Sequence, residues 1–445
     1  MTMRKTTTLI LLYTILIACQ GPLSGSKASA ECLTNGCHAS IKKIGTPHAP
    51  VADGDCLECH KQTNKTHPIK GGKSFVLSAK IPSLCYRCHE RFQGARFHEP
   101  VSEGECITCH NPHGGKDRYL LDNAQDLTSL CAQCHDEPSN SAKVIHGPTA
   151  AGACGACHDI HASDFGSLLK KSPKVICFSC HLQMEREMKG AAVLHDPLKD
   201  ANCRSCHEPH ESAFRALLKM PLAETCTECH TDIKAFKRVR NKHVVLLKES
   251  SCSACHNPHY SREPNLLDKQ ESELCLSCHG RDDNKRRKGL RNIKKEIAQK
   301  RYLHGPIQKG RCSPCHDPHG SNYYRMLFSS YPDGFYAPYK KGLYDFCLKC
   351  HEENMLRFRD TSVYTKFRNG KLNLHYVHVV KERKGRTCRT CHASHASNNP
   401  KLIDDAVPFG EWAIPIRFVP TETGGSCSPG CHRPLRYDRR NPVEY

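Results

Sequence analysis

Long apolar runs are almost missing from this 445-residue chain. The one candidate, Leu9 to Ala18, is too short to cross a bilayer, and nothing after it is apolar enough to form a helical span. Methionine is scarce too: of seven, only Met184, Met188, Met220, Met326 and Met355 lie beyond residue 18. That number excludes the thioether as a ligand to any site repeated many times. There is one tryptophan, Trp412, and aromatic residues make up 7% of the chain. Acidic side chains are outnumbered 45 to 65 by Lys and Arg, for a formal charge of +20. No stretch reads as a separate catalytic domain.

What is plentiful is cysteine, 31 residues, and histidine, 30. Residues 106–113, Cys-Ile-Thr-Cys-His-Asn-Pro-His, show how the two are arranged. Cys106, Cys109 and His110 form CxxCH, the attachment signature of c-type haem. Two thiols about one helical turn apart can reach the vinyl groups of one porphyrin edge, and the adjacent imidazole then lies under the iron. The same spacing recurs at Cys56, Cys59 and His60; Cys85, Cys88 and His89; Cys131, Cys134 and His135; Cys154, Cys157 and His158; Cys177, Cys180 and His181; and Cys203, Cys206 and His207. It continues at Cys226, Cys229 and His230; Cys252, Cys255 and His256; Cys275, Cys278 and His279; Cys312, Cys315 and His316; Cys347, Cys350 and His351; and Cys388, Cys391 and His392. Two looser versions frame these thirteen: Cys32, Cys37 and His38 at the start, Cys427, Cys431 and His432 at the end. Together they use every cysteine except Cys19 and half of the histidines, leaving one spare imidazole for each motif. Zinc sites and disulfide frameworks do not need a histidine directly after every second cysteine. The expected cofactor is therefore covalent haem c, about fifteen per chain, with iron held between two histidines.

The motifs form a tandem repeat. Second motifs of successive units begin at Cys56, Cys106, Cys154, Cys203, Cys252, Cys312 and Cys388, at steps of 50, 48, 49, 49, 60 and 76 residues. A histidine stands eight to ten residues before each: His48, His98, His146, His195, His243, His304 and His378. Six of the seven carry a further histidine in CHxxH: His113, His161, His210, His259, His319 and His395. If the stretch is helical, that histidine lies on the same side as the motif histidine, so it serves a different haem or none. Seven residues beyond each stands Leu120, Leu168, Leu217, Leu266, Met326 or Leu402, a register that asks for a repeated structure. The first unit has His67 in place of the CHxxH histidine. By offset His378 fits the repeat, which makes His375 the candidate second ligand of the terminal haem.

Before the repeats come an address and a tether. Arg4, Lys5 and the apolar run read as a signal peptide over residues 1–18. Leu16-Ile17-Ala18-Cys19 resembles the lipobox of bacterial lipoproteins, which implies lipidation at Cys19, a flexible tether over 19–31 and, with Gln20 next, outer-membrane sorting. Residues 32–280 are then regular two-haem repeats, and 281–445 are repeats with longer insertions and the terminal haem. The basic insertion 281–301, with Lys285, Arg286, Arg287 and Lys288, reads as a solvated helix or a docking surface. The aromatics of 323–346, among them Tyr331, Phe335, Tyr336, Tyr339 and Phe346, are expected to cover haem edges. Residues 402–420 read as a short strand or extended segment against the last haems.

One haem per roughly 28 residues leaves too little protein for a large apolar interior, so porphyrin must supply buried surface and the haem-free chain should not fold. The expected fold is a multihaem cytochrome c: mostly irregular, short α-helices at the CxxCH turns, little or no sheet, an elongated tandem-repeat haem chain. Ionised propionates bring the charge of the haem-loaded mature chain to about +3 oxidised and about −12 reduced, so nucleic-acid binding has no support. An all-histidine ligand set predicts low potentials and no open iron.

The motifs CITCHNPH, CGACHDIH, CRSCHEPH, CSACHNPH, CSPCHDPH and CRTCHASH resemble the doubled-CxxCH family of multihaem c-type cytochromes, which includes periplasmic decahaem cytochromes of outer-membrane electron conduits. The resemblance covers residues 32–432. It implies an electron-transfer protein and not an enzyme, exported to the periplasm or cell surface, with redox partners such as other cytochromes and an outer-membrane porin. The fifteen sites, the irregular end motifs and the lipobox depart from the decahaem pattern. Two other readings stay open: a reductase with one open-site haem, although no lysine replaces a motif histidine, and a subunit of a cytochrome filament.

Overall fold

The computed structural model describes residues 30–33, 38–69, 72–121, 127–136, 142–200, 202–249, 251–282 and 290–445. The signal peptide, Cys19, most of the tether, Cys37 and the basic run Lys285–Lys288 lie outside the described residues. Within them the chain is mostly irregular. It has fourteen α-helices of four to nine residues, the longest Glu271–His279, and strands of two to four residues in small sheets. No described helix is long and apolar enough to cross a membrane.

Each regular feature follows from the repeat. Most CxxCH motifs open with a single 3-10 turn, as at Cys56–Glu58, Cys106–Thr108 and Cys154–Ala156. Cys109 N–H donates to the Cys106 carbonyl at 3.4 Å and His110 N–H to the same oxygen at 3.0 Å, so both thiols and the imidazole leave one turn. Upstream histidines sit at helix starts. His48, His98, His195 and His304 are extended at ψ 131 to 143° and are followed two residues later by proline, whose fixed φ suits a first helical turn.

Six two-residue antiparallel ladders stitch one unit to the next. The dipeptide before an upstream histidine pairs with the dipeptide after a CHxxH histidine: Thr46–Pro47 with Gly114–Gly115, Arg96–Phe97 with Ala162–Ser163, Val144–Ile145 with Glu211–Ser212. The same holds for Val193–Leu194 with Tyr260–Ser261, Asn241–Lys242 with Gly320–Ser321, and Tyr302–Leu303 with Ala396–Ser397. The histidines beside each ladder are bonded as well, His98 N–H to the His161 carbonyl at 2.9 Å and His195 N–H to that of His259 at 3.0 Å. Pairs this short are not stable alone. They act here as register pins between segments that larger contacts hold.

The repeated apolar residue has a backbone reason. Leu120, Leu168, Leu217, Leu266, Met326 and Leu402 all lie in the left-handed region at φ 51 to 56°. Each of their carbonyls accepts from the residue after a motif histidine, for example Asn111 N–H to Leu120 O at 2.8 Å and Asp317 N–H to Met326 O at 2.8 Å. Left-handed geometry in a non-glycine residue costs on the order of 1 kcal/mol and persists only where the surroundings impose it.

By contact density the chain divides into two compact units, Met1–Glu137 with Pro148–Ser172, and Pro138–Gly147 with Pro173–Tyr445. Protein-on-protein burial is sparse. Among the described residues the largest fully buried side chains are only Tyr344, Asn373 and Ser251. In the second unit Leu327, Tyr331, Tyr344, Leu356 and Val379 form one conventional core. Within the aromatic insertion Tyr344 is fully buried and Tyr331 meets it edge-on at 5.8 Å, while Tyr331 and Phe346 also line the cavity beside the cysteines. The rings pack there because their polar ends are satisfied: Tyr344 donates to the Ala337 carbonyl and Tyr331 accepts from Arg389 N–H at 3.0 Å. Residues 402–420 form a hairpin, Ala406–Phe409 with Trp412–Pro415, that buries Val407 and Ile416 and leaves Trp412 exposed. The described end of the basic insertion is also not a simple solvated helix. Ile293–Ile297 turns Ile293 and Glu296 inward and only Lys294 and Lys295 out.

Candidate metal centres

The histidines meet in pairs. In the first unit His38 faces His67 at 6.0 Å between ring centroids, His48 faces His89 at 5.8 Å, and His60 faces His113 at 6.1 Å. His98 faces His135 at 5.9 Å and His110 faces His161 at 6.0 Å. In the second unit the pairs are His146–His181 at 6.3 Å, His195–His230 at 6.1 Å, His207–His259 at 6.0 Å and His243–His279 at 6.0 Å. They continue with His256–His319 at 6.2 Å, His304–His351 at 6.1 Å, His316–His395 at 6.4 Å and His375–His392 at 6.4 Å. His432 is close enough to His378 to disfavour a proton there. His158 and His210 belong to different compact units. His158 has its Nδ1 2.8 Å from the Ser167 carbonyl, and the His210 carbonyl accepts from His146 N–H at 2.8 Å.

The separation fits one metal ion per pair. Two metal–nitrogen bonds of about 2.0 Å, with about 1.2 Å from each nitrogen to its ring centre, put axial imidazole centroids about 6.4 Å apart. In every pair above one member follows a CxxC or a looser end motif or, for His67, stands opposite one. Among the described residues no three His, Cys, Asp or Glu converge on a point as a zinc site requires.

A logic of reach is visible. The upstream histidine of a unit goes forward to the first motif of the next: His48 to His89, His98 to His135, His304 to His351. The CHxxH histidine goes back to the second motif of the preceding unit: His113 to His60, His161 to His110, His319 to His256. His378 follows the forward rule, so it lies by His432, and His375 takes the place of a missing backward histidine opposite His392. This reverses the assignment read from offsets, in which His375 went to the terminal motif. Offset identified the right member of the repeat, but the partner is one motif further on. Both histidines ride on Leu374–Val379, where Asn373 caps the helix by accepting from His375 N–H at 3.0 Å.

Ring nitrogens are oriented from outside. Nδ1 of His110, His158, His207, His256, His316 and His392 lies 2.8 to 3.0 Å from the carbonyl of Tyr119, Ser167, Ala216, Asn265, Arg325 and Lys401. Those carbonyls immediately precede the left-handed residues. A donor at Nδ1 fixes the tautomer and leaves Nε2 free as a ligand. Upstream histidines use the same device, His48 to Pro112 O at 3.0 Å and His195 to Pro258 O at 2.8 Å. The sequence signal for this turn was the fixed apolar register, whose meaning needed the backbone. Burial lowers the affinity of His113, His161, His259 and His319 for protons, and pushes His375 down to about 4 with help from His392. Neutral imidazole is the ligating form.

The cysteines are placed with the same economy. The described cysteines form no disulfide. Within each repeat the first thiols of the two motifs touch: Cys32 and Cys56, Cys85 and Cys106, Cys131 and Cys154 in the first unit. In the second they are Cys177 and Cys203, Cys226 and Cys252, Cys275 and Cys312, Cys347 and Cys388. The attachment points of a repeat are therefore side by side. One continuous cavity of about 4400 Å³ runs through the second unit, lined by most of its cysteines, its paired histidines and apolar side chains such as Leu217, Leu266 and Ile416. Shared among the nine motifs of that unit it amounts to about 490 Å³ each, within the range of ~300–1,000 Å³ for cofactor sites.

Comparison with known proteins finds the same repeat one motif out of phase, each matched segment but the last running from an upstream histidine to the first motif of the next repeat. The doubled CXXCH motif family matches residues 48–94, 98–140, 146–186, 195–235, 243–284, 304–356 and 378–409, well over half of the chain. A multiheme cytochrome MtrA from Shewanella baltica (strain OS185) is similar at 29% identity over 143 residues, covering 32% of this chain. The match spans 41% of that relative's length.

Proposed function

The chain belongs to the doubled CXXCH motif family of multihaem c-type cytochromes, and from that premise we propose that it carries electrons along about fifteen bis-histidine haems. Bound haem would supply the one-electron ferric–ferrous couple. The protein's own contribution is positional. Paired thiols would hold each haem covalently, and the paired imidazoles would ligate its iron from both sides and leave no position open to a substrate. Nδ1 acceptors hold the rings in place, and adjacent first thiols keep neighbouring attachment points close. The single observation that carries the reading is the set of thirteen imidazole pairs at 5.8 to 6.4 Å. All-nitrogen axial ligation favours low potentials.

The two irregular end motifs support electron transfer over reduction of a substrate, because His38 faces His67 and His432 has His378 beside it. His375, which a filament would send to a neighbouring copy, faces His392 of its own chain. The leader and lipobox at Cys19 support an exported lipoprotein of the outer membrane, on its periplasmic or outer face. Its proposed partners are other cytochromes and, as the resemblance to the conduit cytochromes implies, an outer-membrane porin. A haem count by pyridine haemochrome and intact mass, with low-temperature EPR of the oxidised protein, tests the core of this. Fifteen low-spin haems are expected. A stoichiometric high-spin signal would overturn electron carriage as the whole function.

A further inference from the structure

One imidazole pair differs from the rest in two independent ways. Its members are His316, of the Cys312 motif, and His395. Their ring planes are inclined at 43°, whereas the other twelve pairs lie between 10° and 25°. The second difference is the partner of His395. Among the described residues, eleven other histidines have a backbone carbonyl at Nδ1, His67 and His375 have the hydroxyls of Ser74 and Thr365, and His319 has the Asp317 carboxylate at 3.8 Å, too far for a hydrogen bond. His395 Nδ1 instead lies 3.0 Å from Glu296 Oε1.

Glu296 comes from the insertion. The step between second motifs that contains it is 60 residues long, against 48 to 50 in the regular units. The added segment ends in the helix Ile293–Ile297, capped by Asn292, whose side chain accepts from Lys295 N–H at 2.9 Å and donates to Asp282 at 3.1 Å. That cap sets the helix so that Glu296 points inward. Arg291 holds its other oxygen at 2.5 Å, which keeps it charged and aimed. Both Glu296 and His395 are about four-fifths buried, so water screens the contact little.

We propose that Glu296 is a positioning residue that lowers the reduction potential of the haem held at Cys312 and Cys315 below those of its neighbours. A carboxylate accepting Nδ1–H gives the imidazole anionic character, makes it a stronger donor and favours ferric over ferrous iron. A carbonyl does this more weakly. The insertion thereby sets one step in the energy profile of the haem series. This rests on ligation of that iron by His316 and His395.

The test is a potentiometric titration of the fully loaded protein, followed optically and by EPR, for wild type and Glu296→Gln. The amide keeps the size of the side chain and removes the charge. One component, a fifteenth of the amplitude, should become easier to reduce. At its wild-type midpoint the oxidised-to-reduced ratio should fall about tenfold, an upward shift of ~59 mV for a one-electron couple. One low-spin EPR component should change with it. A low-spin wild type whose titration and EPR are untouched by Glu296→Gln would overturn the proposal and leave bis-histidine ligation standing. A high-spin iron in the wild type, absent from Cys312→Ala/Cys315→Ala protein, would instead remove the ligation on which the proposal rests. Should the Gln variant lose haem, Arg291→Leu serves: it frees the carboxylate for His395 and should move the same component downward, and no shift there would also overturn the idea.

Discussion

Replacing His375 by alanine separates the two ways of assigning the last haems. The His375 and His392 ring centroids are 6.4 Å apart, one metal's width. His378 cannot take over, because it stands three residues on along the same helix, a rise of about 4.5 Å. Its Nδ1 is also tied to the Leu374 carbonyl at 2.6 Å. His375→Ala should therefore open the iron at the Cys388 motif and no other. One of fifteen irons is about 7% of the total, a fraction that becomes high-spin when the sixth ligand is lost. The reduced variant should take up one carbon monoxide per chain where the wild type takes none. Thr365, whose hydroxyl is 2.9 Å from His375 Nδ1, loses its partner, at a cost of about 1–3 kcal/mol, too little to unfold the region. The assay is spin quantitation by EPR with a carbon monoxide titration, after intact mass has verified an unchanged haem count. His378→Ala should open the iron at the Cys427 motif instead, and the double variant should open two. If His375→Ala stays entirely low-spin and takes up no carbon monoxide, His375 is not a ligand and the pairing argument fails.

Other consequences follow from the packing. A methyl group on Gly115 would sit 2.5 Å from Leu120 Cα, so Gly115→Ala should push the left-handed turn away from His110 and destabilise the protein by about 1–3 kcal/mol, seen as a lower melting midpoint in Soret circular dichroism; an unchanged midpoint would mean that the turn is not held there. Tyr344→Ala should cost about 3–5 kcal/mol at the one conventional core, while Tyr344→Phe, losing only the bond to Ala337, should cost about 1 kcal/mol; equal losses in denaturant titration would contradict the core assignment. Chain produced without haem attachment should show little far-ultraviolet structure, since its strands and helices are too short to stand alone. A folded haem-free protein would refute the view that porphyrin supplies the missing interior.

Much of this protein is legible along its length because covalent attachment is local. CxxCH needs two thiols and an imidazole within five residues, so Cys56 to His60 or Cys252 to His256 can be read without any fold. Scarce methionine and an equal number of spare histidines say which element takes the far side of the iron. Sparse secondary structure follows from the same composition.

What only the tertiary structure decided is how the spare histidines are shared. Most imidazole pairs join histidines of different repeats, across distances that no local pattern records: His48 meets His89, yet His113 meets His60. The offset that placed His378 in the repeat could not say that it reaches forward to His432, nor that His375 faces His392. The left-handed turn at Leu120 and its equivalents left a trace as a register, but its purpose, a carbonyl for Nδ1, depends on a hairpin that the backbone makes in space. Glu296 left no trace at all among its basic neighbours. Its meaning lies in a contact 99 residues away, because side chains interact through distance in the fold and not through separation in the chain.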